Sequence, residues 1–326
     1  MKEIGSKDSR SFEFPLVGPG EEKIDLWRTF RSHGITSLPP MFLDEKSQTF
    51  SITLSTKDSE PRTINVSPGA TGNGLATIVG PPPEQGADAS LRATLRHVLR
   101  LGEDLSGFYE LADKDPELAW VTCGAGRIVR SPTVFEEVVK TICTTNCAWS
   151  ATERMVGALV EHLGEPAPDA PASGPERRAF PTPQAMAGAG EDFYRDVVRA
   201  GYRGRYLETL SSSVVEGSLD LEALGQASPE ELPDEELGKC LMELPGVGPY
   251  AAAHVMMMLG RYSRLILDSW TRPKYAKLAG KETVTDTETL VRFRNYEEYA
   301  GLAFWLYLTR DWLPDPADPS WASSAR

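Results

Sequence analysis

The chain has 326 residues, 40% of them hydrophobic, enough for a real core in one large or two modest domains. No apolar stretch approaches the ~18 residues of a membrane span, and the polar start from Met1 to Arg10 is unlike a signal peptide, so the sequence predicts a cytoplasmic protein with no membrane partner. A formal net charge of -13 excludes a nucleic-acid binder that works through overall basicity.

Residues 1–11 read as a disordered start. From Phe12 to about Val79, short β-favouring runs such as Thr49 to Leu54 and Arg62 to Val66 are broken by Gly, Pro and Asp, which predicts a small antiparallel sheet domain over 12–90. Pro81 to Ala89 is a Pro/Gly linker. Helical periodicity begins with Leu91, Leu95, Val98 and Leu99 and continues to residue 313, with 165–179 as a surface loop and 314–326 as a flexible tail. The predicted class is therefore α+β.

Charge is sorted along the helical part. Glu216 to Glu236 holds eight acids and no base, whereas Arg261 to Lys281 has six bases against Asp268 alone, and Tyr194 to Tyr206 has four bases against one acid. This pattern predicts an acidic, solvated back and a basic working face. Cys123, Cys143, Cys147 and Cys240 form no CxxC pair, and none follows Cys240, so no iron-sulfur cluster is expected. Cys143 and Cys147, on one helix face at i and i+4, read as half-buried thiols without further metal ligands. No cofactor is expected, with room left for a monovalent cation at the hairpin described next.

Leu244 to Tyr250 reads LPGVGPY. Two glycines one residue apart, between a helix ending near Glu243 and one beginning near Pro249, allow a tight hairpin whose bare amides face a phosphate at a helix N-terminus. An αα-hairpin between two core helices is the plainer alternative. The hairpin, with Asp268 about twenty residues on, resembles the helix-hairpin-helix DNA glycosylases, and from Phe135 onward the chain is similar to their 8-oxoguanine and 3-methyladenine branches. Ile142 to Asn146 resembles a helix start whose Asn reaches into DNA, and Phe180 to Ala185 a segment that precedes the next helices. Gly201 to Tyr206 resembles the segment whose Tyr wedges into the duplex, and Tyr299 to Gly301 the start of the last pocket helix. Ser32-His33-Gly34 to Pro40 is similar to the opening of a group of bacterial 3-methyladenine-glycosylase-like proteins.

That resemblance implies a catalytic role for Asp268, whose carboxylate would oppose an oxocarbenium and orient water while also capping a helix from Ser269 to Leu278. It implies DNA contacts at Gly246, Val247, Gly248, Asn146, Tyr202, Arg203, Arg205, Arg272 and Lys274. The base pocket would hold Tyr250, His254, Trp149, Phe304 and Leu308. The family's Schiff-base Lys falls at Tyr250, its base-reading Gln at Phe304, its stacking Phe at Leu308 and its cytosine-reading Arg at Ala151. These departures put 8-oxoguanine in doubt. The expected activity is monofunctional excision of a damaged, alkylated purine from double-stranded DNA by a monomer. A silent damage-binding protein and an 8-oxoguanine glycosylase/lyase are the alternatives.

Overall fold

Alternation along the chain builds the sheet. Phe50, Ile52 and Leu54 are buried on one face of β3 (Thr49–Thr56), and Ile64 and Val66 of β4 (Ser59–Pro68) lie opposite Ile52 and Phe50 in an antiparallel ladder. With β1 (Ser11–Pro15), β2 (Met41–Asp44) and β5 (Asn73–Ile78) they form a five-stranded antiparallel sheet of order β1-β5-β4-β3-β2. The two strand runs read from the sequence fall in β3 and β4.

The structure is a computed structural model that describes residues 10–56, 59–82 and 87–313. Most of the expected start (1–11), all of the tail (314–326) and part of the linker lie outside the described residues. A short helix, α1 (Leu26–Phe30), crosses between β1 and β2. After the sheet come α2 (Ala87–Val98), α3 (Ser106–Ala112), α4 (Val134–Thr144), α5 (Trp149–Leu163), α6 (Pro183–Ala187) and α7 (Arg203–Val215). The chain continues through α8 (Leu221–Gln226), α9 (Asp234–Met242), α10 (Pro249–Met258), α11 (Thr271–Leu278), α12 (Asp286–Phe293) and α13 (Ala300–Thr309). Local sequence sets several starts: Thr133 and Thr182 accept the amides of Glu136 and Ala185, and Thr285 with Glu288 forms a reciprocal capping box. The fold is α+β, and no helix among the described residues is long and apolar enough to cross a membrane.

Three apolar clusters hold these elements. One joins the sheet to α2; a second joins α4, α5, α7 and α9; a third joins α3 and α13 to α11 and α12. Helix α10 contributes to the second and the third, and its residues Ala251 to Met258 are all buried. A helix apolar all round belongs inside. The turn after α1 is bound to this interior: Trp305 Nε1 donates to the Ser32 carbonyl at 2.8 Å, and the Ser32 hydroxyl accepts the Val129 amide at 3.0 Å. Residues of the sheet region thereby reach α10 and α13.

Candidate active site

Six residues connect α9 to α10. Gly246 stands at φ 77, and a Cβ there would lie 2.5 Å from Cδ2 of Tyr206, so the turn needs glycine for both conformation and space. Leu244 and Val247 are buried and pin the hairpin, while Gly248 and Pro249 are exposed at its tip. Pro249 opens α10 where the first amides have no intrahelical acceptor, so its missing N–H costs nothing.

A second close approach places the acid. Gly301 donates its amide to the Tyr262 carbonyl at 2.6 Å, and a Cβ on it would lie 2.1 Å from the Arg264 carbonyl. Glycine alone lets α13 begin against this backbone, which carries on through buried Leu265 and Ile266 to Asp268. Oδ1 of Asp268 accepts the amides of Trp270 and Thr271 at 2.8 and 2.6 Å, and Thr271 Oγ1 accepts the Asp268 amide at 2.8 Å. The helix begins at Thr271, two residues later than expected, with Asp268 bonding the amides that lead into it. Both bonds fall on Oδ1, which leaves Oδ2 for chemistry.

Asp268 borders a cavity of about 1010 Å³ that also reaches Tyr250, His254, Trp149 and Asn146. It is the one formally charged residue among those lining it. The rest of the wall is aromatic to a degree the sequence did not reveal. Trp270, Trp305 and Trp312 pack against one another with ring centroids 5.8 to 6.2 Å apart. His33 and Gly34 enter from the turn after α1, and the Trp149 ring lies where a Cβ on Gly34 would meet it at 3.3 Å. Burial pushes the Tyr250 hydroxyl up and the His254 imidazole down to about 4. Both are neutral at neutral pH.

Phe304 and Leu308 do not line this cavity. Both are fully buried on the far side of α13, where Phe304 packs edge-on against Tyr275 and Phe293 at 5.8 and 5.3 Å. Positions 304 and 308 share a helix face, and position 305 is a further ~100° round, so the neighbouring Trp305 takes the cavity side. Trp270 had a signal in the sequence, standing two residues beyond Asp268, and His33 stood within the Ser32-His33-Gly34 motif without being read as a site residue; Trp312 had none.

The expected DNA-facing residues divide. Tyr202 is 53% exposed and accepts a hydrogen bond from Asn146 Nδ2 at 3.3 Å, so these two side chains come together at the surface. Asn146 is not at a helix start: α4 ends at Thr144, and Asn146 occupies the turn to α5 at φ 49. Cys147 lies in the same turn, with its thiol donating to the Cys143 carbonyl at 3.2 Å, so the two cysteines do not share a helix face. Arg203 is 7% exposed, bonds the Thr145 carbonyl and lies 4.6 Å over the Tyr202 ring. It supports the Tyr202–Asn146 pair and is not a surface contact, whereas Arg205 is exposed.

The basic run is not a bare positive face. Arg261, Arg272, Lys274 and Lys281 pair with Asp234, Asp286, Asp311 and Glu288. The Arg272–Asp286 pair is about half exposed on both sides, and such pairs contribute ~0–1 kcal/mol, so a phosphate can displace the carboxylate. Among the described residues, no three His, Cys, Asp or Glu side chains converge as a metal site.

No protein-family model matches the chain, and no curated protein does. Solved structures show the fold. The structure of MBOgg1 in complex with a low-affinity DNA ligand superposes with a TM-score of 0.72 at 20% identity, covering 96% of this chain and 99% of that one. The Clostridium acetobutylicum 8-oxoguanine glycosylase/lyase superposes with a TM-score of 0.71 at 19% identity, over 94% and 98% of the two chains. A 3-methyladenine DNA glycosylase from Archaeoglobus fulgidus gives 0.70 at 18% identity, over 93% of this chain and all of that one. The chain therefore has the fold of these DNA glycosylases, as its resemblance to them implied.

Proposed function

We propose that this protein is a monofunctional DNA N-glycosylase that flips a damaged, alkylated purine out of duplex DNA and hydrolyses its glycosidic bond, leaving an abasic site. The observation that carries this reading is Asp268, the single formal charge on an aromatic cavity reached directly from the hairpin through Tyr250. As the bond to the base lengthens, positive charge builds on the sugar, and the fixed carboxylate opposes it. Water adds to C1′ while the base leaves with the bonding pair, and the carboxylate takes or directs the water's proton. Extruding a base costs a few kcal/mol, which the exposed Tyr202 as wedge and its hydrogen-bonded neighbour Asn146 as filler of the vacated space would offset. Incubating the protein with a panel of duplexes, each carrying one lesion, and assaying for freed base tests the reading directly.

Tyr250 occupies the hairpin position at which a bifunctional enzyme needs an amine. A phenol forms no imine, so borohydride should trap no covalent DNA complex, and strands should break only after alkali. A trapped adduct of protein and DNA mass would overturn the monofunctional assignment and direct attention to Lys274.

The hairpin offers a cleaner test through one glycine than through two. Gly246→Ala would strain the turn and strike Tyr206, whereas a Cβ added at Gly248, which sits at φ -98, would meet nothing within 4 Å. Gly248→Ala should keep the melting temperature and weaken binding to damaged and undamaged duplex alike, about tenfold, because the added methyl holds the phosphate off the amides. Fluorescence anisotropy on both duplexes reads this. A loss confined to the damaged duplex would place Gly248 at the lesion pocket instead.

A further inference from the structure

Two buried imidazoles in the cavity wall take no part in the hydrolysis described above. His33 and His254 are 7% and 4% exposed, and their Nε2 atoms are 3.1 Å apart. The backbone decides which nitrogen carries each proton. The Ile35 amide donates to His33 Nδ1 at 3.2 Å, and an amide can only donate, so neutral His33 keeps its proton on Nε2. That proton points at His254 Nε2, which accepts it; the His254 proton is then on Nδ1, 2.9 Å from the Thr141 hydroxyl oxygen.

All four ring nitrogens are taken by protein partners, and the cavity receives only ring faces and carbon edges. The His33 ring lies 4.6 Å from Trp305, and that of His254 stacks 6.2 Å from Tyr250. Burial holds both rings neutral, and His254 further disfavours charge on His33; a further proton on His33 Nδ1 would also face the Ile35 N–H, and one on His254 Nε2 would face the His33 N–H. Asp268 is the one group nearby that favours charge on His254.

We infer that His33 and His254 are specificity-determining: their relay, fixed by the Ile35 amide and Thr141, keeps their own stretch of the wall uncharged and without hydrogen bonds to offer, leaving polar contacts to Thr144, Asn146, Tyr250 and Ser269 elsewhere in the lining. The electron-rich rings of the cavity therefore take a cationic ring-alkylated purine in preference to a neutral purine of the same shape. The inference rests on the alkylpurine reading of the same site.

Thr141 does not line the cavity, so Thr141→Val removes the last acceptor of the relay at constant volume without touching a bound base. Quenching of the cavity tryptophans by free bases reads the effect, with the 7,9-dimethylguanine cation and neutral 9-methylguanine as the probes. The parent protein should prefer the cation, and Thr141→Val should reduce that preference about tenfold, within the range a single lost discriminating contact spans. His33→Asn, which removes the donor to His254, should do the same and serves if the valine variant does not fold. Histidine 15N NMR of the parent at pH 7 should show His33 Nδ1 and His254 Nε2 unprotonated. Opposite tautomers, a cationic ring, or equal weakening of both probes in the variants would overturn the inference. A parent that binds the cation selectively yet frees no base from methylated DNA would overturn the glycosylase reading and leave the relay standing; one that frees base yet binds both probes equally would do the reverse.

Discussion

Asp268→Asn is expected to lower base release about 10²- to 10³-fold while leaving the fold and the affinity for damaged duplex near those of the parent. The substitution separates two roles that one side chain holds. Asn keeps an Oδ1 that can still accept the Trp270 and Thr271 amides, so the entry to α11 stays bonded. What it removes is the negative charge, and only the transition state, with its cationic sugar, depends on that charge. A preorganised group of this kind in a water-poor site contributes ~3–4 kcal/mol to lowering the barrier, which sets the scale of the loss. Asp268→Ala would be less informative, because it also costs about 1 kcal/mol of helix capping. Single-turnover base release, anisotropy and thermal melting together decide the point. Release near the parent rate would remove Asp268 from catalysis, and a parallel loss of binding would make it a recognition residue.

What the sequence disclosed and what it hid follow from the physics of each signal. The LPGVGPY hairpin was legible because Gly and Pro act on the backbone itself, and Gly246 at φ 77 does what its lack of a Cβ permits. The strands of the sheet were legible because one face is buried and the other is not. Helix α13 gave no such contrast: all ten of its residues are buried, so nothing in their hydropathy says which side faces a cavity and which a core. Matching positions in register found the right helix and chose Phe304 and Leu308, one step round from Trp305. Arg203 misled in another way. A guanidinium in a basic run reads as surface, yet a long side chain can bury its stem and bond a carbonyl, as this one does at Thr145. The run from Arg261 to Lys281 looked positive because its neutralising acids, Asp234, Asp286, Glu288 and Asp311, come from segments before and after it in the sequence.

Base choice carries the second large effect. Rejecting guanine while accepting 8-oxoguanine requires hydrogen bonds that read the base edge, and a site built on such bonds discriminates by about 10⁴-fold or more, where an apolar pocket manages ~10 to 200-fold. The larger part of the cavity wall here is apolar and aromatic, from Trp149, Tyr250, Trp270, Trp305 and Trp312, with Thr144, Asn146 and Ser269 among its short polar side chains and both imidazoles occupied by each other and by the protein. Methylated purines such as 3-methyladenine or 7-methylguanine carry positive charge or polarisation and leave readily, so stacking on electron-rich faces together with one carboxylate suffices to select them. Methylated DNA should therefore yield methylpurines, and an 8-oxoguanine duplex opposite cytosine should be left almost intact. Trp270→Ala should lower release about 10 to 30-fold, the size of a desolvated cation–π contact of ~2 kcal/mol, with little change in melting, because Trp270 is 41% exposed. Phe304→Ala provides the contrast: it empties a fully buried ring position between Tyr275 and Phe293, costs ~3–5 kcal/mol of stability, and should leave base preference in the surviving folded protein unchanged. Chromatography of the freed bases reads both. If no methylpurine appears while the 8-oxoguanine duplex is processed efficiently, the aromatic cavity is not the reader of the base.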